Sequence, residues 1–137
     1  MQAEELVKAG KPREALGALE QEVRANPASA RHRVFLFQLL SVLGQWDRAL
    51  TQLNVAGEMD RENEALSMIY VAALQCEALR EAVLRGERTP HVLGEPEAWL
   101  AELIEAARLD ATGVHDQAAD LRAKALDAAP TVSGSIN

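Results

Sequence analysis

The residues best placed to do acid–base chemistry in this sequence are two close carboxylate pairs, Glu62/Glu64 and Glu95/Glu97. Neighbouring carboxyl groups can serve as general acid and general base when their surroundings drive their pKa values apart. Both pairs, however, fall where an amphipathic helix begins, and a carboxylate there is favoured by the helix dipole. They are read as solvated helix starts. The histidines, His32, His91 and His115, stand apart, with no second His, Cys or acid at metal-ligand spacing. The single cysteine, Cys76, permits neither a disulfide framework nor a zinc set. In its apolar helical stretch it reads as a small core residue. A Gly-rich phosphate loop and a serine nucleophile elbow are both missing from the sequence. The expectation is therefore a protein without catalytic residues, cofactor or metal, whose chemistry is recognition.

Recognition residues are few. Five aromatic side chains occur in 137 residues, two of them tryptophan. Trp46 reads as core, sealing a turn at the start of a helix. For Trp99 an anchor for a partner and a core position both remain open. Arg31 and Arg33 open the most apolar stretch; an arginine there can reach a partner's carboxylate or simply solvate the helix end. Phe37 and Tyr70 are candidate groove residues, with core packing as the alternative. Arg33, Phe37, Tyr70, Glu77 and Trp99 form the candidate peptide-binding set. The loop from Pro90 to Pro96 is a binding loop or a plain connector.

The net charge is −7 and the isoelectric point about 5.0. Such a chain repels a phosphate backbone, so no nucleic-acid partner is expected. It suits a basic protein segment, or the charge serves solubility alone. No apolar run nears the roughly 20 residues that span a bilayer. The longest, Val34 to Leu43, is broken by Gln38 and Ser41. The opening MQAEELVKAGK lacks a basic region followed by an apolar one, so a cytoplasmic protein is expected.

Positioning these residues falls to helices. Hydrophobic residues make up 48% of the chain, much of that alanine, the strongest helix former. A repeat organises them. Gly10-Lys11-Pro12-Arg13-Glu14-Ala15-Leu16 recurs as Gly44-Gln45-Trp46-Asp47-Arg48-Ala49-Leu50, an offset of 34 residues (10 to 44). Leu6 falls on Leu40 and Leu19 on Leu53. A third copy starts at Gly113-Val114-His115-Asp116-Gln117-Ala118-Ala119. The glycine ends one helix in the left-handed conformation, and the alanine five residues on lets the next pack closely. A proline stops the second helix: Pro27 and Pro130 each lie 17 residues past their glycine (10 to 27, 113 to 130). The middle copy has Arg61 there instead, so its exit is less defined. These marks resemble the tetratricopeptide repeat.

The expected fold is all-α, a tetratricopeptide-like solenoid of about seven helices, near residues 2–9, 12–25, 29–43, 46–58, 62–85, 97–111 and 115–128. The third is apolar almost all round and should lie at the centre. In the fifth, Leu66, Ile69, Ala73, Cys76 and Val83 recur at helical spacing and should face inward. One helical domain over 1–130 and a polar flexible tail over 131–137 are expected.

One stretch is more specific. RVFLFQLLSVLGQWDRALTQL, Arg33 to Leu53, resembles the hallmark segment of the ImpE/TagJ family, accessory proteins of bacterial type VI secretion systems. Ala3-Glu4-Glu5-Leu6 with Ala9-Gly10, Cys76-Glu77-Ala78-Leu79-Arg80, and Gly94-Glu95-Pro96 followed by Trp99-Leu100 fit as well. The resemblance implies an adaptor that binds the N-terminal helix of the small contractile-sheath subunit, TssB or VipA. It implies an indirect influence on sheath disassembly by the ClpV ATPase. It also implies a second, C-terminal domain beginning about where this chain stops. A general tetratricopeptide scaffold is the alternative function, and an enzyme a third.

Overall fold

Each repeat glycine closes a helix in the same way. Gly10, Gly44 and Gly113 have φ of 73°, 70° and 83°, a region that favours glycine. The Gly10 N–H donates to Val7 and the Lys11 N–H to Leu6, both at 2.9 Å. Gly44 and Gln45 donate likewise to Ser41 and Leu40, at 3.1 and 2.9 Å. Gly113 and Val114 donate to Asp110 and Leu109, also at 3.1 and 2.9 Å. The paired bonds satisfy carbonyls that the helix end leaves free. Gly86, φ 74°, forms a fourth such closure with Val83 and Ala82, both at 3.0 Å.

Between these stops the computed structural model, which describes residues 2–135, is all helix and loop among the described residues. The helices are α1 (Gln2–Lys8), α2 (Pro12–Ala25), α3 (Ala30–Val42), α4 (Trp46–Met59), α5 (Glu64–Leu84), α6 (Ala98–Ala111) and α7 (His115–Ala128). Pro12 starts α2, where its missing N–H costs nothing. Ser29 caps α3 by accepting from the His32 N–H at 3.3 Å. The exit of the middle repeat is set by Asp60: its side chain accepts from the Glu62 N–H at 3.0 Å and starts a 3-10 turn over Arg61–Asn63. Of the expected tail, 131–135 carries neither helix nor strand, and residues 136–137 lie outside the described residues.

Packing divides the chain into two compact units, up to Ala78 and from Leu79. In the first, α1 packs on α2, α2 on α3 and α3 on α4. The helix expected at the centre is there: Leu36, Phe37, Leu39 and Leu40 of α3 are all buried. Leu19, Leu40 and Leu53 are fully enclosed, each stabilising the fold by about 1.5–3 kcal/mol through burial. Ala15 and Ala49, the fifth residues after their glycines, are also at 0% exposure, which permits the close helix approach. In the second unit α6 packs on α7. Its buried residues are Ala106, Ala118 and Ala125, while Leu100, Leu103, Leu109 and Leu121 are half-buried.

The inward face of α5 differs from the expected one. Leu66 and Val83 are half-buried, as expected, but Ile69, Ala73 and Cys76 are exposed; Leu74 is buried in their place, with Ser67, Val71 and Ala78 half-buried on its side. In the middle of the helix the inward stripe is thus shifted by about one residue, roughly 100°. The reason is compositional: α5 is apolar on nearly every side, so periodicity selects no single face. Cys76 is accordingly a surface thiol and not a core residue.

Candidate peptide-binding cleft

Three of the five candidate residues meet in one cleft of the first unit. Phe37 of α3 is 4% exposed and supplies an apolar wall. Tyr70 of α5 packs against it, with ring centroids 5.7 Å apart and planes tilted by 55°. Tilted aromatic pairs of this separation align a ring edge with a ring face and hold both rings in place. Glu77 lies two turns further along α5 on the same side. Leu66, Ala73 and Leu74 of α5 complete that wall, and Gln38, Ser41 and Trp46 stand across from it. The cleft volume is about 380 Å³. Its surface is apolar with a few polar groups, the character of a site that takes an apolar side chain and fixes its orientation.

The polar groups are partly committed. The Ser41 hydroxyl donates to the Phe37 carbonyl at 2.8 Å. Trp46 packs against the core, and its indole N–H is buried without a hydrogen-bond partner. Tyr70 is 44% exposed and forms the rim.

Arg33 is placed elsewhere. Its guanidinium donates to the Gln52 side-chain oxygen at 3.0 Å and to the Pro27 carbonyl at 3.3 Å, tying α3 to α4 and to the preceding turn. Trp99 belongs to the second unit, where it is half-buried and its indole N–H donates to Glu97 at 2.8 Å. Glu97 thus accepts from an indole at a helix start, as a solvated acid there can. Sequence reading missed Leu66, Ala73 and Leu74 as cleft residues. The signal was present: Leu66, Tyr70, Ala73 and Glu77 follow i, i+4, i+7, i+11, one side of a helix.

The second unit has its own pocket of about 340 Å³, lined by Val83, Gly86, Arg88, Pro90, Leu103 and Ile104 among others. Beside it, Arg85 donates to Glu87 at 2.8 Å and Arg108 to Glu105 at 2.8 Å. The hydrogen bond from Arg85, helped by its charge, holds the Glu87 carboxyl below the ordinary glutamate range. The bond from Arg108 does the same to Glu105. No group of three His, Cys, Asp or Glu side chains converges as metal ligands among the described residues. No described helix is long and apolar enough to cross a membrane.

Comparison with known proteins bears on the helical repeat and on the chain as a whole. Residues 6–73, which fall within the first unit, match the family model described as tetratricopeptide repeat. Over 136 residues, 99% of its length, the chain is 49% identical to a curated protein of Pseudomonas aeruginosa named type VI secretion system accessory component TagJ. The match covers 48% of that relative, so the chain spans about half its length.

Proposed function

Because the chain belongs to the ImpE/TagJ family of type VI secretion accessory components, with a tetratricopeptide repeat in its first unit, we propose that it is a non-catalytic adaptor that captures a helix of another protein in the Phe37–Tyr70 cleft. The partner proposed is the small contractile-sheath subunit, TssB- or VipA-like, through its N-terminal helix. By holding that helix the adaptor would bear on sheath assembly or on disassembly by ClpV.

The observation that carries the reading is the cleft itself. A buried ring, a half-exposed ring and an open apolar wall lie between packed helices, the arrangement into which an amphipathic helix lays one or two apolar anchors. The net charge of −7 favours encounter with a basic segment. A segment that orders on docking loses conformational entropy, so affinity should be moderate, about micromolar.

The test is calorimetric titration of a synthetic N-terminal helix from a TssB-like subunit, with a shuffled peptide of equal charge as control. The native order should bind at least about tenfold more tightly, a difference of about 1.4 kcal/mol, and Tyr70→Ala should remove that advantage. Equal binding of the shuffled peptide would mean charge attraction alone. Binding of neither peptide would leave a general tetratricopeptide scaffold as the reading.

A further inference from the structure

The other flank of α5 carries a feature that the cleft does not use. A groove of about 690 Å³ runs between α4 and α5, lined by Asn54, Glu58, Glu64, Met68, Val71 and Gln75 among others. Gly57 lies on its floor: a Cβ there would sit 3.0 Å from the Ser67 Cβ, so the two helices approach closely at that point. At its edge Met68 is 76% exposed, and the adjacent Ile69 68%. A largely exposed Met–Ile step on an apolar helix is unfavourable in water and favours a partner that covers it.

The charge around the groove has one sign. Glu58 and Glu64 stand on its two walls, and neither has an ion-pair partner among the described residues. The connecting turn adds Asp60 and Glu62 against Arg61 alone, and α5 has no basic residue before Arg80. No Lys or Arg lines the groove. Anionic lipid and nucleic acid are repelled by such a rim, and a second copy of this acidic chain is disfavoured.

We propose that this groove is a second docking site, separate from the cleft of the proposed function, for a short basic amphipathic segment of a partner protein. The segment's apolar anchor lies on Met68 and Val71, and its Lys or Arg side chains face Glu58 and Glu64. Glu64 to Gln75 spans eleven residue steps (64 to 75), about 16 Å of helix, so the groove takes about three turns of a docked helix. Methionine suits the contact because its unbranched thioether adapts to the shape of the anchor. An adaptor with sites on both flanks of one helix holds two segments without a change of fold.

The experiment uses a labelled, helix-forming peptide of Leu and Lys, about three turns long, and a twin with Glu in place of every Lys. Fluorescence anisotropy gives the affinity, and amide shift changes in a 15N-labelled chain give the place. The Lys peptide should perturb amides of 54–58 and 64–75. The double variant Glu58→Lys with Glu64→Lys should weaken it at least about tenfold. Met68→Ser should weaken it too, while Tyr70→Ala should change it less than about twofold. All four residues are on the surface, and unchanged far-UV circular dichroism checks that the variants fold. The inference is overturned if charge reversal leaves the affinity unchanged, if the Glu twin binds equally, if no binding occurs, or if Tyr70→Ala is as damaging as the reversal. The last result would place the peptide in the cleft. The sheath-helix titration should respond to Tyr70 and not to Glu58 or Glu64, so failure of one reading leaves the other standing.

Discussion

The two units build the same helix–turn–helix from different materials. Nine residues after the turn glycine, the first unit has Leu19 and Leu53 (10 to 19, 44 to 53), both fully buried. In the third copy that position is Arg122 (113 to 122), half-exposed and paired with Asp110. Six residues after the glycine, Leu16 and Leu50 give way to Ala119. The first unit thus closes over a leucine and phenylalanine core. The second closes over Ala106, Ala118 and Ala125, with Arg122–Asp110, Lys124–Glu102, Arg108–Glu105 and Arg85–Glu87 around them. Apolar burial is insensitive to salt and pH, whereas exposed ion pairs are weak and screened. The difference teaches that backbone closure by glycine is common to both units, while the depth of the apolar core is not.

The sharpest way to break that comparison is to truncate the first core. Leu40→Ala removes a fully enclosed side chain and should cost about 2–5 kcal/mol. Leu50→Ala, at a half-buried position, should cost less. Ala118→Gly in the second unit has only a methyl to lose and should cost about 1 kcal/mol. Urea denaturation measures all three, and equal losses at Leu40 and Ala118 would erase the contrast. Gly86→Ala comes next. It forces a side chain onto φ 74° and puts its Cβ 2.7 Å from that of Ala111, for about 2–4 kcal/mol in all. Gly10→Ala has φ 73° but open space around it, so only the backbone contribution of about 1–2 kcal/mol remains.

Much of this was legible from residue spacing. Seven helices, the three turn glycines and the central place of α3 follow from Gly-to-Ala spacing and from a run of apolar residues too dense for a surface helix. The face of α5 was not legible, because a helix apolar all round offers several equally good stripes and tertiary packing alone chooses among them. That Leu66 and Ala73 share a side of the helix with Tyr70 and Glu77 was legible in the spacing; that this side lines a cleft was not. Phe37 and Tyr70 stood out as scarce aromatics, but their contact is between residues 33 apart in sequence (37 to 70), and single-helix periodicity does not report pairs of that kind. The Arg122 substitution in the third copy was visible. Its consequence, an ion pair in place of a buried leucine, depended on Asp110 lying one helix earlier.

A smaller effect sharpens the comparison from the electrostatic side. Asp110 receives Arg122 and lies 3.2 Å from the His115 Nδ1. Asp110→Asn should cost about 0.5–1 kcal/mol, as for surface pairs, and the loss should shrink in high salt. A loss as large as that of Leu40→Ala would mean that the second unit depends on this pair as the first depends on leucine.

The smallest effect is set by pH and is confined to the second unit. Hydrogen bonds from Arg85 and Arg108 hold the carboxyls of Glu87 and Glu105 below the ordinary value of 4.5. A carboxylate whose folded pKa is depressed contributes stability above its unfolded pKa, and that contribution is lost as pH falls through the folded value. Both groups therefore stabilise the second unit at neutral pH and cease to do so only in acid below the ordinary glutamate range. Both carboxyls are open to solvent, so the contribution is small. The direction is testable where the magnitude is not. Carboxyl titration followed by NMR should find both midpoints below 4.5. In Arg85→Met the Glu87 midpoint should rise to the ordinary range while that of Glu105 stays in place. Arg108→Met should produce the converse. If each arginine shifted both glutamates, the two pairs would form one coupled network, and the second unit would have a cooperative charged layer in place of independent surface pairs. If neither shifted its neighbour, these two pairs would contribute nothing, and the alanine and leucine contacts, with the Arg122–Asp110 and Lys124–Glu102 pairs, would hold α6 against α7.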